Sequence, residues 1–311
     1  MDLDKTAIVL RQRSYTDLID LSLILVRVYW RLILGWAILG AIPFSLVNAF
    51  CLYQMTDFDA IVIFNYDILD PGTLRFRYIL WMIALVFLET PLALLGLTFF
   101  LGQSVFFGSP SFTEFKGALK QSFWGILWVL GILRLGVIGW LIALRNTTSD
   151  GQVDLFFEVF FYGFVLIGAV AFLRSIRPFA PEMLILERSP LRSPKSPGGE
   201  RGVAYGKRTK WLHRPIVGAL FGRSIVSTIV SLFLLFSLSF GWLFLRSIFF
   251  NSPSWDWCMD YILFPLTLWI IAIWATIIRF LSYLDTRTRL EGWELELRLR
   301  AEGNRVREAM E

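Results

Sequence analysis

The sequence predicts an all-α protein, a polytopic bundle of six transmembrane helices arranged as three hairpins. Three observations predict it. Apolar runs of roughly twenty residues recur along the chain, the length that a hydrocarbon core about 30 Å thick requires at about 1.5 Å per residue. The composition agrees, with 56% hydrophobic and only 18% charged residues. Lys and Arg, finally, are concentrated in alternate connections, as they are where positive side chains stay on the cytoplasmic side.

The strongest orienting signal is the segment 174–223. It holds eleven basic residues, from Arg174 to Arg223, against Glu182, Glu187 and Glu200. Placing it in the cytoplasm puts 25 Lys and Arg inside and 4 outside, with eight acids in the outer loops. Both termini are then cytoplasmic. The net charge of +5 reflects these flanks rather than a nucleic-acid footprint, and no nucleic-acid partner is expected. No cleavable signal peptide precedes the first run, so the first helix serves as its own insertion signal.

In chain order, residues 1–13 read as a polar tail. Ser14 with Asp17 forms an acidic capping box that starts a helix. Leu18, Leu21, Leu25 and Val28 share one face of Tyr15–Arg31, which reads as an amphipathic helix at the cytoplasmic interface. An early start to the first span is the alternative. The first span covers about 32–51 with Pro43 inside, and an acidic outer loop follows. The second covers about 78–101 and contains Glu89, Thr90 and Pro91. Ser111 opens a connecting helix whose Phe112, Phe115, Leu119 and Phe123 share a face.

The third span, about 124–144, holds Arg134 near its middle, and the fourth covers about 155–173. Within the basic loop, Arg174–Arg188 is apolar enough to pack, whereas Ser189–Lys210 reads as a disordered or flexible linker. Anionic lipid headgroups are its expected contact. The fifth and sixth spans cover about 224–245 and 261–281. Residues 282–311 read as a cytoplasmic amphipathic helix carrying acid-first i,i+4 pairs such as Asp285–Arg289, bent at Gly292.

Few residues suggest chemistry. Glu89 and Arg134 both count to near the bilayer midplane, where a lone charge costs several kcal/mol, so they are expected to pair across adjacent helices. Such a pair serves either as polar glue or as part of a proton or ion relay. Cys51 and Cys258 both fall at the outer face, where a disulfide between them is possible. Small-xxx-small spacing at Ser224–Thr228 and Ser227–Ser231 reads as close helix packing. No metal or nucleotide motif, nucleophile elbow or soluble catalytic insertion is present. No catalytic residue, cofactor or metal is therefore expected.

Three stretches carry a resemblance: Ser14–Arg31, Arg177–Arg188, and the run of Tyr283, Asp285, Arg287, Arg289, Glu291, Gly292 and Trp293. They resemble a family of bacterial six-span proteins related to the membrane domain attached to some glycerophosphodiester phosphodiesterases. The likeness departs after Arg188, where a Pro/Ser/Lys-rich insert replaces a shorter helical link. It implies the fold and a bacterial inner-membrane location. The phosphodiesterase domain has no counterpart, so its activity is not carried over. The leading expectation is a non-enzymatic scaffold or partner subunit acting through residues 1–31, 174–223 and 283–311. The alternative is a transporter or channel-like component using Glu89 and Arg134. A lipid-acting membrane enzyme is disfavoured by the absence of a nucleophile or metal set.

Overall fold

The computed structural model describes residues 13–56, 71–106, 111–147, 158–191, 204–251 and 254–291. Every regular element among them is helical. Five helical stretches are long and apolar enough to cross a membrane: Tyr15–Tyr53, Arg75–Ala93, Val159–Ile176, Tyr205–Phe250 and Met259–Glu291.

Helix α1 spans Tyr15–Thr56. Its start is the capping box read from sequence. The Ser14 N–H donates to Asp17 Oδ2 at 3.2 Å, and the Asp17 N–H donates to Ser14 Oγ at 3.2 Å. Tyr29 leaves helical geometry, with φ −109° and ψ 20°. The interfacial piece and the first span are thus one bent rod. Leu18, Ser22 and Leu25 face inward, whereas the bend leaves Val28 exposed, contrary to the expected face.

Helix α2, Pro71–Ala93, and helix α3, Leu95–Phe106, make the second span in two pieces. Pro91 has no N–H, so the helix cannot satisfy the carbonyl of Phe87 four residues back. The break follows within one turn.

The third span departs from expectation. Helix α4 runs over Phe112–Ile126 and continues as a π-helical turn at Leu127–Ile132. The chain then unwinds before helix α5, Ile138–Thr147. Leu135 is left-handed at φ 58°. The Gly136 and Val137 N–H groups donate back to the Leu130 and Gly131 carbonyls, at 3.1 and 3.0 Å. A Cβ on Gly136 would lie 2.7 Å from the Leu130 oxygen, so the turn requires glycine there. The expected straight helix over 124–144 is therefore interrupted at Arg134.

A π-helical stretch, Glu158–Ile167, leads into α6, Gly168–Ile176. Helix α7, Ala180–Ile185, is buried at all six positions. The ordered packing expected of Arg174–Arg188 is thus observed. The linker expectation needs correcting, because Tyr205–His213 forms helix α8, with Thr209, Leu212 and His213 buried. Leu212 and Met183 both join the core, and that burial outweighs the local polar composition. Residues 192–203 of that linker lie outside the described residues.

Helix α9, Val217–Phe250, is peripheral and has only Leu220 buried. Helix α10, Phe264–Glu291, is the axis of the bundle and is buried along most of its length. It also corrects the expected C-terminal element, since residues 282–291 continue the last span without a break. The bend expected at Gly292, the rest of that helix, the tail 1–12 and the outer segment 57–70 all lie outside the described residues.

Candidate functional site: a cationic cavity between helices

A cavity of about 460 Å³ opens between α2, α6, α9 and α10, with Tyr15 of α1 and Arg134 of the broken span at its edge. Its two ends differ. Ile83, Ile167, Leu235 and Leu268 line one end, while Arg134, Arg174, Arg223 and Arg279 line the other. Three of the bordering helices carry this polarity: α6 from Ile167 to Arg174, α9 from Leu235 to Arg223, and α10 from Leu268 to Arg279 and on to Ser282. The whole α10 interval is fourteen residues, or about 21 Å of helix. On α9, Ser224, Ser227, Thr228 and Ser231 form a hydroxyl stripe along the wall. Their i, i+3, i+4, i+7 spacing reflects a lined cavity, not the close helix approach expected from sequence.

The chain positions each cation by a local device. Pro91 frees the Phe87 carbonyl, and Arg174 answers it. One guanidinium nitrogen donates to the Phe87 oxygen and another to the Leu88 oxygen at 2.7 Å. The guanidinium carbon sits 4.4 Å from the centroid of the Phe87 ring. Unwinding between α4 and α5 aims Arg134 at the Arg177 carbonyl, and leaves its side chain buried. Arg223 pairs with Asp285 at 2.7 Å, and Arg279 pairs with Glu182 at 2.8 Å. Arg134 and Arg279 lie close enough to Arg174 for the charges to repel. Among the described residues, Arg174 Nε, Arg223 Nη1 and Thr276 Oγ1 are buried and have no hydrogen-bond partner. Orphaned donors of this kind cost about 1–3 kcal/mol each when nothing meets them.

The basic loop ends and the last helix are clasped beside this cavity. Arg208 bridges Glu187 and Glu291, each at 2.6 Å. Tyr283 donates to Glu187 at 2.6 Å, and Arg287 reaches Glu291 at 2.6 Å. Asp285 accepts from Arg223, from Arg289 at 3.0 Å and from the Arg13 N–H at 3.1 Å. The run Tyr283, Asp285, Arg287, Arg289 and Glu291 thus fastens the N-terminus, the loop and α9 to α10. His213 is structural. Its Nε2 accepts from the Phe179 N–H at 3.4 Å, its Nδ1 lies 2.9 Å from the Thr209 oxygen, and its ring stacks on Phe179.

Burial alone would push the Glu187 carboxyl up. The Arg208 and Tyr283 hydrogen bonds and the nearby Arg287 charge outweigh it and hold the group below its ordinary value of 4.5. A lowered carboxyl contributes stability that is present above the ordinary value and lost as pH falls through the lowered one. Thermal unfolding should therefore drop in the acid range below 4.5. Glu187→Gln should cost about 2–3 kcal/mol at neutral pH and flatten that acid-side drop.

The expected pairing of Glu89 with Arg134 is corrected. Glu89 is fully buried and accepts from Asn48 Nδ2 at 2.9 Å and from Trp140 Nε1. Two neutral donors satisfy the carboxylate, and Arg134 is occupied elsewhere at the far side of its break. The two sites should act independently. The stability changes of Glu89→Gln and Arg134→Gln should add within about 0.5 kcal/mol in the double variant. Strong coupling in that cycle would restore the pair.

The disulfide expectation is corrected too. Cys51 is turned into the bundle on α1, Cys258 is half-buried just ahead of α10, and both are free thiols. Maleimide added to denatured chain without reductant should label two thiols, and in native micelles Cys258 should react first. Labelling that required reductant would contradict this. Among the described residues, no three His, Cys, Asp or Glu side chains come together as a metal site.

Sequence reasoning missed Arg174, Arg223 and Arg279 as site residues, because their charge also marks topology. The hydroxyl stripe in the fifth apolar run was the available signal. Searches against protein-family models, curated proteins and solved structures find no match to this chain.

Proposed function

We propose that the chain is a six-span protein of a bacterial inner membrane, with both termini cytoplasmic, that holds an anionic amphiphile without transforming it. The interrupted third span counts as a crossing in this reading, made by the π-helical turn, the unwound segment and α5. The Lys/Arg distribution supports the orientation. The single observation that carries the function is the cavity's polarity: four guanidiniums at one end and aliphatic walls at the other. Charges buried in a membrane protein mark binding or conduction sites, and an apolar slot beside them excludes a small hydrophilic anion as the preferred guest. The cationic end lies where the flanks are cytoplasmic, so the guest would enter from the inner leaflet. A partner-subunit role through the clasped cytoplasmic face is compatible with this holding function.

Purification in mild detergent, followed by lipid extraction and mass spectrometry, tests the reading. One anionic amphiphile per chain, enriched over the membrane extract, is the expected outcome. Copurified lipid matching the bulk membrane composition would overturn it.

A further inference from the structure

We infer that the guest's headgroup is a dianionic phosphate monoester, carried on one or more long apolar tails. This rests on the amphiphile reading above and goes further by naming the headgroup. Four guanidiniums line the cationic end, and two already have carboxylate partners: Arg223 with Asp285 and Arg279 with Glu182. Arg134 and Arg174 donate hydrogen bonds only to backbone carbonyls, and Glu182, whose charge also reaches Arg134, is already paired with Arg279. Four guanidiniums therefore share two carboxylates, which leaves this end with an excess of two positive charges. Asp285 is moreover shared with Arg289, which further weakens its hold on Arg223.

A buried charge without a partner is destabilising, and mutually repelling charges more so. A phosphodiester lipid brings one negative charge and surrounds it with a bulky substituent. A phosphate monoester brings about 1.5 to 2 near neutral pH and three terminal acceptor oxygens. Those oxygens match what the walls offer. Arg174 Nε and Arg223 Nη1 are unpartnered guanidinium donors, and Thr276 Oγ1 is a fully buried, unpartnered hydroxyl on α10. Arginine's planar fork suits phosphate oxygens better than a point charge does. The tail would lie along the 83, 235 and 268 end, within the roughly 21 Å of α10 between Leu268 and Ser282.

Binding of defined lipids to delipidated full-length protein in neutral detergent tests this, using phosphatidic acid, phosphatidylglycerol, phosphatidylcholine and inorganic phosphate alone as probes. Phosphatidic acid should bind at least tenfold tighter than phosphatidylglycerol, and inorganic phosphate should fail to compete at millimolar concentration. Arg174→Gln and Arg134→Gln should each weaken binding of both anionic lipids, and of phosphatidic acid more, so that its preference over phosphatidylglycerol falls severalfold. Thr276→Val, nearly isosteric, should do the same to a smaller degree, and it stands in if an arginine variant fails to fold. Equal binding of phosphatidic acid and phosphatidylglycerol, both above phosphatidylcholine, would overturn the headgroup assignment but leave the amphiphile reading intact. No preference over phosphatidylcholine would overturn both. Inorganic phosphate binding as tightly as phosphatidic acid would show a site for the free anion. Full retention of the preference in all three variants would place the headgroup elsewhere and overturn the assignment.

Discussion

Asp285→Ala is expected to cost about 3–5 kcal/mol, enough to prevent recovery of folded protein from membranes at ordinary temperatures. The Asp285 side chain is 2% exposed and faces Arg223 and Arg289 together. Its other oxygen receives the Arg13 N–H. Removing the carboxylate leaves one cation buried and releases the N-terminal segment from α10. The magnitude follows from the uncompensated charge, since exposed ion pairs are worth about 1 kcal/mol or less. Arg289→Ala, which removes the more exposed partner, should cost only a fraction as much. The yield of folded protein recovered after mild extraction distinguishes the two, and equal losses would show that the clasp does not depend on burial.

The second large effect is expected at Gly40. A Cβ built there would overlap the Ala93 carbonyl oxygen, a backbone atom that no rotamer change can move. Gly40→Ala must therefore push α1 away from the end of α2, costing at least the 1–3 kcal/mol typical of overpacking. Gly35, on the same helix, has nothing within 4 Å of its would-be Cβ. Gly35→Ala should be neutral or stabilise by up to about 1 kcal/mol through helix propensity. Opposite signs at two glycines five residues apart would confirm that α1 and α2 meet at backbone contact. Matching signs would contradict it.

Legibility in the sequence followed the range of the interaction. The Ser14–Asp17 cap was readable because both partners lie within one turn and the motif has no other common use. The packing of Arg177–Arg188 was readable because an apolar block between charges has few other places to go. Pro91 was visible as a residue that brings no N–H to its helix. Its consequence was not, because the group that answers the freed Phe87 carbonyl is Arg174, more than eighty positions away. Glu89 is legible as an intramembrane acid that needs a partner, and Arg134 is the one opposite charge at matching depth in the sequence. The neutral donors Asn48 and Trp140 suffice, and nothing local marks them. The break at Arg134 was hidden because Gly131 and Gly136 look alike in an apolar run, whether they permit packing or a left-handed turn. The ordering of Tyr205–His213 was hidden for the opposite reason: its composition is polar, and burial of Leu212 and His213 against α7 and α10 is a tertiary gain.

An experimental map of the protein in nanodiscs containing its native lipids tests the occupancy of the cavity most directly. Elongated density, with a compact head among Arg134, Arg174 and Arg223 and a tail toward Leu268, is the result expected. A cavity filled only by separate water-sized peaks, or closed by collapse of α9 onto α6, would contradict it.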